Sequence, residues 1–335
     1  MTIWDEVGKA IKEKYIPITM VLEATRQCNL QCCHCYNIKD NVQLSFDQIK
    51  DIGGQLRRAG CLFLVLTGGE VFTKPDFLDI AGYLRKLGFD LKVFTNGTLI
   101  TSQMVERIKD LAFSEVGISI QGINAQTHDR ITGNPGSFAK ALSAVKILKQ
   151  AKVPVGIKTT LMKTNFSEYK EIMELADNLG VTYVIDPVVS PRDDGSKDVL
   201  SCRLSDGQLE EFYREQFSKI DSVSAEVNNE DICEAGKIFG SISVLGDVYP
   251  CIQIPLKCGN VFQQEFKEIW DNSDILNKMR TVKLCDIEEC ATCKIAYGCT
   301  RCPGLAYLED GDLFGPSSVA CMNARIYEKI KELKI

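Results

Sequence analysis

The chain contains 335 residues with a formal net charge of −6, and its 15 cysteines contrast with only 2 histidines. A chain of this length forms about two domains with cores of their own, which excludes a small fold that depends on disulfides. The acidic balance without a basic run disfavours a nucleic-acid partner, and the lack of an uncharged apolar stretch of about 18 residues disfavours a membrane span. We therefore expect a cytoplasmic protein, a setting in which clustered cysteines bind metal more often than they form disulfides.

Short apolar runs alternate with segments of helical periodicity through the first two thirds of the chain. The predicted strands cover residues 18–23, 62–66, 91–95, 115–120, 155–161 and 181–185. The predicted helices cover residues 46–59, 77–87, 104–111, 138–150, 169–179 and 209–220. Ser45, Thr101 and Ser205 precede three of these helices, as N-caps do. Strand–helix repeats with right-handed crossovers predict a parallel sheet, either an open doubly wound sheet or a curved partial barrel.

The character of the sequence changes after about residue 225. Cysteines, glycines and short loops dominate there, and helical periodicity is confined to residues 266–279 and 326–333. The apolar runs are too short to form much core alone, which predicts a small unit that folds around metal. We place the domain boundary between residues 224 and 225. Residues 187–197 are polar and flanked by proline, so we expect a long surface or active-site loop there.

The first cysteine cluster follows directly on the first predicted strand. Cys28, Cys32 and Cys35 have the spacing C-x-x-x-C-x-x-C, at the end of a strand where α/β folds bind ligands. A 4Fe-4S cluster usually has four cysteine ligands, so a set of three leaves one iron open for substrate chemistry. On its own, the spacing also fits half of a zinc site.

This cluster resembles the signature of the radical S-adenosylmethionine (SAM) superfamily. The resemblance implies an α/β fold, a partial (β/α)6 TIM-like barrel, in which Cys28, Cys32 and Cys35 hold a 4Fe-4S cluster and SAM chelates its open iron. In that family, reduction of the cluster cleaves SAM and yields a 5′-deoxyadenosyl radical, which abstracts a hydrogen atom from the substrate. His34 stands where family members carry an aromatic or apolar residue, and Tyr36 is expected near the adenine.

Motifs at the ends of the following strands extend the resemblance. Gly68, Gly69 and Glu70 match the family's GGE motif, in which glycine allows a close backbone approach and the carboxylate accepts from the SAM ammonium. The other expected SAM contacts are Thr95, Asn96, Ser119 and Arg130, with Thr159 and Asn165 as further candidates after the fifth strand. Gln121 replaces the aspartate that usually follows the fourth strand. We expect His128 to make a surface hydrogen bond and not to act in catalysis.

A second set of cysteines follows in the C-terminal region. The patterns C-x12-G-x4-C and C-x2-C-x5-C-x2-C, followed by a last cysteine, resemble the SPASM domain of radical SAM enzymes, a small, loop-rich domain with two auxiliary 4Fe-4S clusters. The resemblance implies one cluster on Cys233, Cys251, Cys258 and Cys302, and another on Cys290, Cys293, Cys299 and Cys321. Without Cys258 the first of these has an open iron or a non-cysteine ligand, and Cys285 competes as a ligand. The alternative is a pair of zinc sites.

The resemblance implies a radical SAM enzyme with three 4Fe-4S clusters, and family frequency favours modification of a peptide or protein. The alternatives are a tetrapyrrole of heme-type biosynthesis or another small molecule and, in a different class, an iron–sulfur electron-transfer protein without catalysis. An electron donor such as flavodoxin or ferredoxin is implied. Only 27 residues precede Cys28, so we expect no fused peptide-recognition domain, and a peptide would bind directly or through a separate recognition protein. No residue is identified as the catalytic acid, base or hydrogen donor.

Overall fold

A single mixed sheet organises the protein, for which a computed structural model describes residues 3–217 and 231–332. Its strands lie in the order β6-β5-β4-β3-β2-β1-β7-β8-β9. They are β1 (Thr19–Thr25), β2 (Phe63–Gly68), β3 (Asp90–Thr95), β4 (Glu115–Ser119), β5 (Val155–Thr160), β6 (Thr182–Asp186), β7 (Phe239–Ile242), β8 (Asp247–Tyr249) and β9 (Gly259–Asn260). Strands β1 to β7 run parallel, whereas β8 and β9 are antiparallel to their neighbours. Within the described residues the sheet does not close, which confirms the predicted partial barrel.

Helices connect and cover the strands. The N-terminal and barrel helices are α1 (Ile3–Glu13), α2 (Phe46–Arg58), α3 (Phe77–Lys86), α4 (Val105–Asp110), α5 (Ala125–Thr132), α6 (Ser137–Gln150), α7 (Tyr169–Leu179) and α8 (Asp206–Phe217). The C-terminal helices are α9 (Phe266–Asn272), α10 (Asp274–Thr281), α11 (Glu288–Ala291), α12 (Pro303–Leu305) and α13 (Ser318–Glu332). No helix within residues 3–217 and 231–332 has the length and apolar character needed to cross a bilayer.

Local sequence signals set several helix ends. Ser45 caps α2 in a capping box, because its hydroxyl accepts from the Gln48 amide at 3.1 Å while the Gln48 side chain accepts from the Ser45 amide at 2.8 Å. The Asn124 side chain accepts from the Thr127 amide and starts α5, which ends at Gly133 in the left-handed region. Helix α5 lies beside the cysteine loop, defined here as residues 26–45, whose backbone donates to the carbonyls of Ile131 and Thr132.

One apolar core extends from the barrel into the C-terminal region. Ile242 and Val248 of the added strands, and Phe266 and Trp270 of α9, are buried in the same cluster as the barrel residues of β1 to β5. The C-terminal region therefore shares a core with the barrel, in contrast to the predicted unit that depends on metal alone. The predicted boundary between residues 224 and 225 lies outside the described residues.

Candidate active site

The cysteine loop is fastened to the neighbouring loops by hydrogen bonds. The Asn96 side chain after β3 donates to Asn29 at 2.9 Å, and the Asn29 side chain donates to Thr98 at 2.8 Å. On the other side, the amides of Gln31 and Cys33 donate to carbonyl groups at the end of α5. These bonds hold the loop at the carboxyl ends of the parallel strands, as the sequence predicted.

The three motif thiols of this loop are half-buried. Burial raises the pKa of Cys28, and it raises the pKa of Cys32 to about 12. A metal ligand must be a thiolate, so Cys28 and Cys32 stay protonated until a cation offsets the cost of burying their charge. Such a group of three sulfur donors fits an iron–sulfur cluster.

A cavity of about 500 Å³ opens beside these thiols, at the mouth of the barrel. Most of the residues predicted to contact the cluster or SAM line it: Cys28, Cys32, Cys35, Tyr36, Gly68, Gly69, Thr95, Asn96 and Ser119. The walls also contain residues that the sequence did not single out: Lys39, Phe94, Lys158, Val184 and Asp186. The predicted contacts thus converge on one space, with charged groups of both signs in its walls.

Gly68 and Gly69 lie so close to the backbone of residues 25–27 that there is no room for a side chain at either position. Gly68 has a φ of +141°, and a Cβ there would collide with the carbonyl oxygen of Thr25. A Cβ on Gly69 would lie 2.6 Å from the carbonyl oxygen of Arg26. The Gly69 amide donates to Thr25 at 2.7 Å, so the glycines let the end of β2 pair with the start of the cysteine loop.

Glu70 lies beneath the cavity and does not line it. The side chain is 1% exposed, and its carboxylate accepts from the Thr95 hydroxyl at 2.7 Å, the Asn96 amide at 2.6 Å and the Phe72 amide at 3.1 Å. Burial raises the pKa of Glu70, although these three hydrogen bonds oppose the rise. The structure thus shows Glu70 joining β2 to β3, and its expected bond to a SAM ammonium stays a prediction.

The polar residues after β4 and β5 bind mainly to each other. The Gln121 side chain accepts from the Thr160 amide at 3.0 Å, and Thr159 donates to the Ile120 carbonyl at 2.7 Å. Asn165 is fully buried, and its side chain donates to the carbonyls of Gln121 and Thr160 at 3.0 Å. Gln121 and Thr159 still border the cavity, so they can combine a structural bond with a ligand contact.

Arg130 and His128 lie on α5, away from the cavity lining. Arg130 is exposed and close to the thiol of Cys33, and its predicted pairing with a SAM carboxylate stays a prediction. The expected surface position of His128 is wrong, because the residue is 1% exposed and packs on the Phe138 ring. Its Nδ1 accepts from the Gln121 amide at 3.0 Å, and burial lowers its pKa to about 4. His128 is therefore a neutral structural residue.

The polar loop of residues 187–197 contacts the cysteine loop. Arg192 donates to the Cys35 carbonyl at 2.8 Å, and the Asp193 amide donates to the Tyr36 carbonyl at 3.1 Å. Arg192 also pairs with Asp198 through two hydrogen bonds of 2.8 and 2.9 Å. The loop that the sequence predicted as a surface or active-site loop thus lies against the cysteine loop, held by an arginine whose role the sequence did not reveal.

The C-terminal cysteines form two groups of neighbours. The first contains Cys233, Cys251 and Cys302, because Cys302 lies near enough to add to the effect of burial in raising the pKa of both Cys233 and Cys251. The second contains Cys290, Cys293, Cys299 and Cys321. Burial raises the pKa of Cys251 and of Cys299 to about 11. Within residues 3–217 and 231–332, no three Cys, His, Asp or Glu side chains lie close enough together to bind a single metal ion.

Within the described residues, the neighbours of Cys258 differ from those of the first group, and its role as a ligand stays a prediction from the sequence. Its thiol lies beside Ser273 and Arg280, and it donates weakly to the Leu256 carbonyl at 3.6 Å. The reason is the β8–β9 turn, in which the Cys258 amide pairs with Val248 and directs the side chain into the shared core. Gln253 stands closer to the group, because its side-chain oxygen accepts from the Cys302 thiol at 3.6 Å. Cys285 is exposed.

Arg301 stands between the two cysteine groups. Its guanidinium donates to the carbonyls of Leu313 and Gly315, and Nη1 is buried without a partner. Burial lowers the pKa of Arg301, against the effect of Cys290, Cys302 and Cys299. A fixed positive charge there favours thiolates in both groups.

Comparison with known proteins agrees with this geometry. The family model of the radical SAM superfamily matches residues 22–176, and the model of the SPASM iron–sulfur cluster-binding domain matches residues 233–294. The chain is 31% identical over 332 residues to the AdoMet-dependent heme synthase of Methanosarcina barkeri, covering 88% of this chain and 94% of that protein. This chain belongs to the radical SAM superfamily. Its C-terminal region is a SPASM domain, as the cysteine spacing predicted.

The chain is also similar to proteins with other names. The chain is 29% identical to the mycofactocin maturase MftC of Mycobacterium tuberculosis, covering 79% of this chain and 73% of that protein. The structure of Streptococcus suis SuiB bound to its precursor peptide SuiA superposes with a TM-score of 0.74 at 16% identity, covering 94% of this chain and 80% of SuiB. At 16% identity, the similarity to SuiB shows a shared fold only. As a member of the radical SAM superfamily with a SPASM domain, this protein is an enzyme that uses SAM, a SAM-binding 4Fe-4S cluster and auxiliary clusters.

Proposed function

We propose that this radical SAM enzyme abstracts a hydrogen atom from a residue of a peptide or protein substrate. When bound, the reduced cluster and SAM supply a 5′-deoxyadenosyl radical. Cys28, Cys32 and Cys35 would hold that cluster, because they are the thiols that border the cavity. The cavity residues Tyr36, Gly68, Gly69, Thr95, Asn96 and Ser119 would contact SAM, with Glu70 supporting Thr95 and Asn96 from below and Arg130 at the end of α5.

We place one auxiliary cluster at each of the two C-terminal cysteine groups. Cys290, Cys293, Cys299 and Cys321 give one of them four thiolate ligands. Cys233, Cys251 and Cys302 give the other only three, because Cys258 points elsewhere. The fourth position of that cluster is then open or taken by a non-cysteine donor, and the Gln253 amide is the nearest side chain of that kind for which a contact is seen.

The observation that favours a peptide is the position of β6. This strand is the last one at its end of the described sheet, so one side of its backbone has no partner strand there. Its side chains alternate between exposed and half-buried, and Val184 and Asp186 line the cavity. An extended peptide that adds to a sheet edge presents alternate side chains to one face. A peptide paired with β6 would therefore place a side chain toward the cavity.

A narrow crevice continues from this edge toward the first auxiliary cysteine group. Asp186 lines both the cavity and the crevice, which has a volume of about 140 Å³ and also contains Gln253 and Cys302. Nearby protein atoms desolvate the Asp186 carboxyl group and raise its pKa, so it accepts a proton more readily than a carboxyl group in open water. A flexible side chain fits this crevice better than a wide, rigid ring does.

A tetrapyrrole is the second candidate substrate. It rests on the 31% identity to the Methanosarcina barkeri heme synthase, which extends over 94% of that protein, a larger share than the 73% covered in the maturase MftC. The lysines in the cavity wall, Lys39 and Lys158, offer positive charge for the carboxylates of such a substrate. Lys158 also pairs with Glu115, which reduces the charge available to a ligand.

The remaining partners follow from the chemistry. We infer a one-electron donor such as flavodoxin or ferredoxin, because the cluster must be reduced before SAM is cleaved. A peptide would bind directly along β6 or be delivered by a separate recognition protein. A cytoplasmic location suits exposed thiols such as Cys33 and Cys285, which a reducing compartment keeps free.

Substrate class is tested by the release of 5′-deoxyadenosine from anaerobically reconstituted enzyme. We expect a peptide fraction from the source cells to raise the rate above the substrate-free rate, and an iron porphyrin with propionate side chains to leave it unchanged. The reverse result would favour the tetrapyrrole. Val184→Asp should reduce the peptide-dependent rate by about tenfold through a buried, unpaired charge at the interface. Val7→Asp on α1, where the wild-type residue is 43% exposed compared with 49% for Val184, is the matched control.

A further inference from the structure

Two cysteines outside the proposed cluster ligands lie in contact with each other. The Sγ atoms of Cys33 and Cys202 are 3.7 Å apart, and Cys202 Sγ also lies 3.8 Å from the Cys33 carbonyl oxygen. Cys33 is exposed and Cys202 is half-buried, so small reagents in solution can reach the pair. Neither residue belongs to the C-x-x-x-C-x-x-C pattern or to the SPASM cysteines.

Hydrogen bonds hold the backbones of Cys33 and Cys202 in place, so the fold keeps the two thiols close to each other. The Cys33 amide donates to the Ile131 carbonyl at 3.0 Å, and the Cys202 carbonyl accepts from the Lys163 amide at 3.1 Å. Arg203, next in the chain, forms a two-bond ion pair with Glu309. Two groups that a fold holds together react with each other at a high effective concentration.

We propose that Cys33 and Cys202 form a reversible dithiol–disulfide site. The oxidant is a low-molecular-mass disulfide. The thiolate of one cysteine attacks it, which forms a mixed disulfide and releases one small thiol. The second cysteine then attacks the mixed disulfide, closes the Cys33–Cys202 bond and releases the second small thiol. The protein loses two electrons and two protons. The small disulfide gains the same two electrons and two protons and becomes two thiols.

The geometry requires only a local adjustment. A disulfide has a sulfur–sulfur distance of about 2.05 Å, so the two atoms must approach by about 1.7 Å from their separation of 3.7 Å. Cys202 is the last residue of the single-turn 3-10 helix Asp198–Cys202, where a side-chain rotation and a small backbone shift provide that approach. Cys33 lies outside the ligand pattern, so its thiol can react while Cys32 and Cys35 keep iron.

The bond would add a covalent link between the segment 187–203 and the cysteine loop. Residues 187–203 already contact the cysteine loop through Arg192 and Asp193. A covalent link at Cys202 would fix the other end of this segment to the same loop. We therefore expect oxidation to restrict the motion of this segment against the cysteine loop, and reduction to release it.

The test uses cluster-loaded enzyme treated anaerobically with oxidised glutathione, then alkylated and digested with trypsin. Residues 198–203 contain Cys202 as their single cysteine. We expect this peptide linked to residues 27–39 through Cys33, a loss of two alkylatable thiols, unchanged iron, and full reversal by dithiothreitol. Amide hydrogen exchange in residues 190–203 should become slower on oxidation.

Single substitutions separate this site from accidental oxidation. Cys33→Ser and Cys202→Ser should each abolish the linked peptide and the change in hydrogen exchange, whereas Cys285→Ser, which removes another exposed thiol, should preserve both. The proposal is overturned if glutathione remains on Cys33 or Cys202 without closing the bond. It is also overturned if Cys202 links to Cys28, Cys32 or Cys35, or if the link appears only after iron is lost. None of these outcomes depends on SAM cleavage, so they are separate from a failure of the proposed function.

Discussion

The Glu70 carboxylate accepts a hydrogen bond from the Thr95 hydroxyl at 2.7 Å, beneath the floor of the cavity. The same carboxylate accepts from the Asn96 amide at 2.6 Å. Thr95 is the last residue of β3 and Asn96 follows it, whereas Glu70 follows β2. A single buried carboxyl group thus sets the relative position of two loops that border the proposed SAM site.

Replacing Glu70 tests this bracing role. Glu70→Ala leaves the Thr95 hydroxyl and the Asn96 and Phe72 amides without their acceptor, so we expect the free energy of unfolding to fall by about 3 kcal/mol or more. Thr95→Val removes one bond and should cost about 1 kcal/mol. Urea unfolding of the two variants measures the difference. A Glu70→Ala variant as stable as Thr95→Val would show that the carboxylate does not organise this floor.

Glu23 on β1 predicts a dependence of stability on pH. Burial raises its pKa from 4.5 to about 7, with a further rise from Asp193 and an opposing effect of Arg26. The folded state therefore binds the proton more tightly than the unfolded state, and stability falls as the pH rises from about 4.5 to about 7. Glu23→Gln cannot ionise, so at pH 8 it should be more stable than the wild type by up to about 3 kcal/mol.

Urea midpoints at pH 5 and pH 8 test the Glu23 prediction. The difference between the two midpoints should be smaller in Glu23→Gln than in the wild type. Asp193→Asn is the companion variant, because burial also raises the pKa of Asp193, to about 6. An unchanged pH dependence in Glu23→Gln would contradict the assignment.

Cys258 and Cys302 are expected to differ in iron binding. Cys302 lies with Cys233 and Cys251, whereas Cys258 lies beside Ser273 and Arg280. Cys258→Ala should keep the wild-type iron content, and Cys302→Ala should lose about four irons per chain. Metal analysis of the reconstituted variants measures both iron and zinc. Equal losses in the two variants would restore Cys258 as a ligand, and zinc in place of iron would contradict the cluster assignment.

The barrel was predictable because its elements repeat a strong local pattern. The predicted strands agree with β1 to β6 within about two residues, since buried parallel strands are continuous apolar runs. α5 was missed because Ile131 is its only large apolar residue, and the cap at Asn124 was its main signal. β7 was missed because Phe-Gly-Ser-Ile is short, and its pairing with β1 joins residues more than 200 positions apart. The segment 266–279 is two helices, because Ser273 is extended between them.

In the site, too, the features set by neighbouring residues were predictable, and those set by contacts between distant residues were not. The spacing of Cys28, Cys32 and Cys35 is local, and the thiols border one cavity as expected. The position of Cys258 depends on how β8 and β9 turn, which a cysteine pattern does not encode. The contact between Cys33 and Cys202 spans 169 positions, and only the fold could reveal it.

The most direct test of the central claim is SAM cleavage by single-cysteine variants. Anaerobically reconstituted wild type, reduced with dithionite, should release 5′-deoxyadenosine and contain about twelve irons per chain. Cys32→Ala should release none and lose about four irons, whereas Cys33→Ala, the neighbouring thiol outside the motif, should retain both properties. Release of 5′-deoxyadenosine by Cys32→Ala at the wild-type rate, or no release by wild type with its iron complete, would contradict the account.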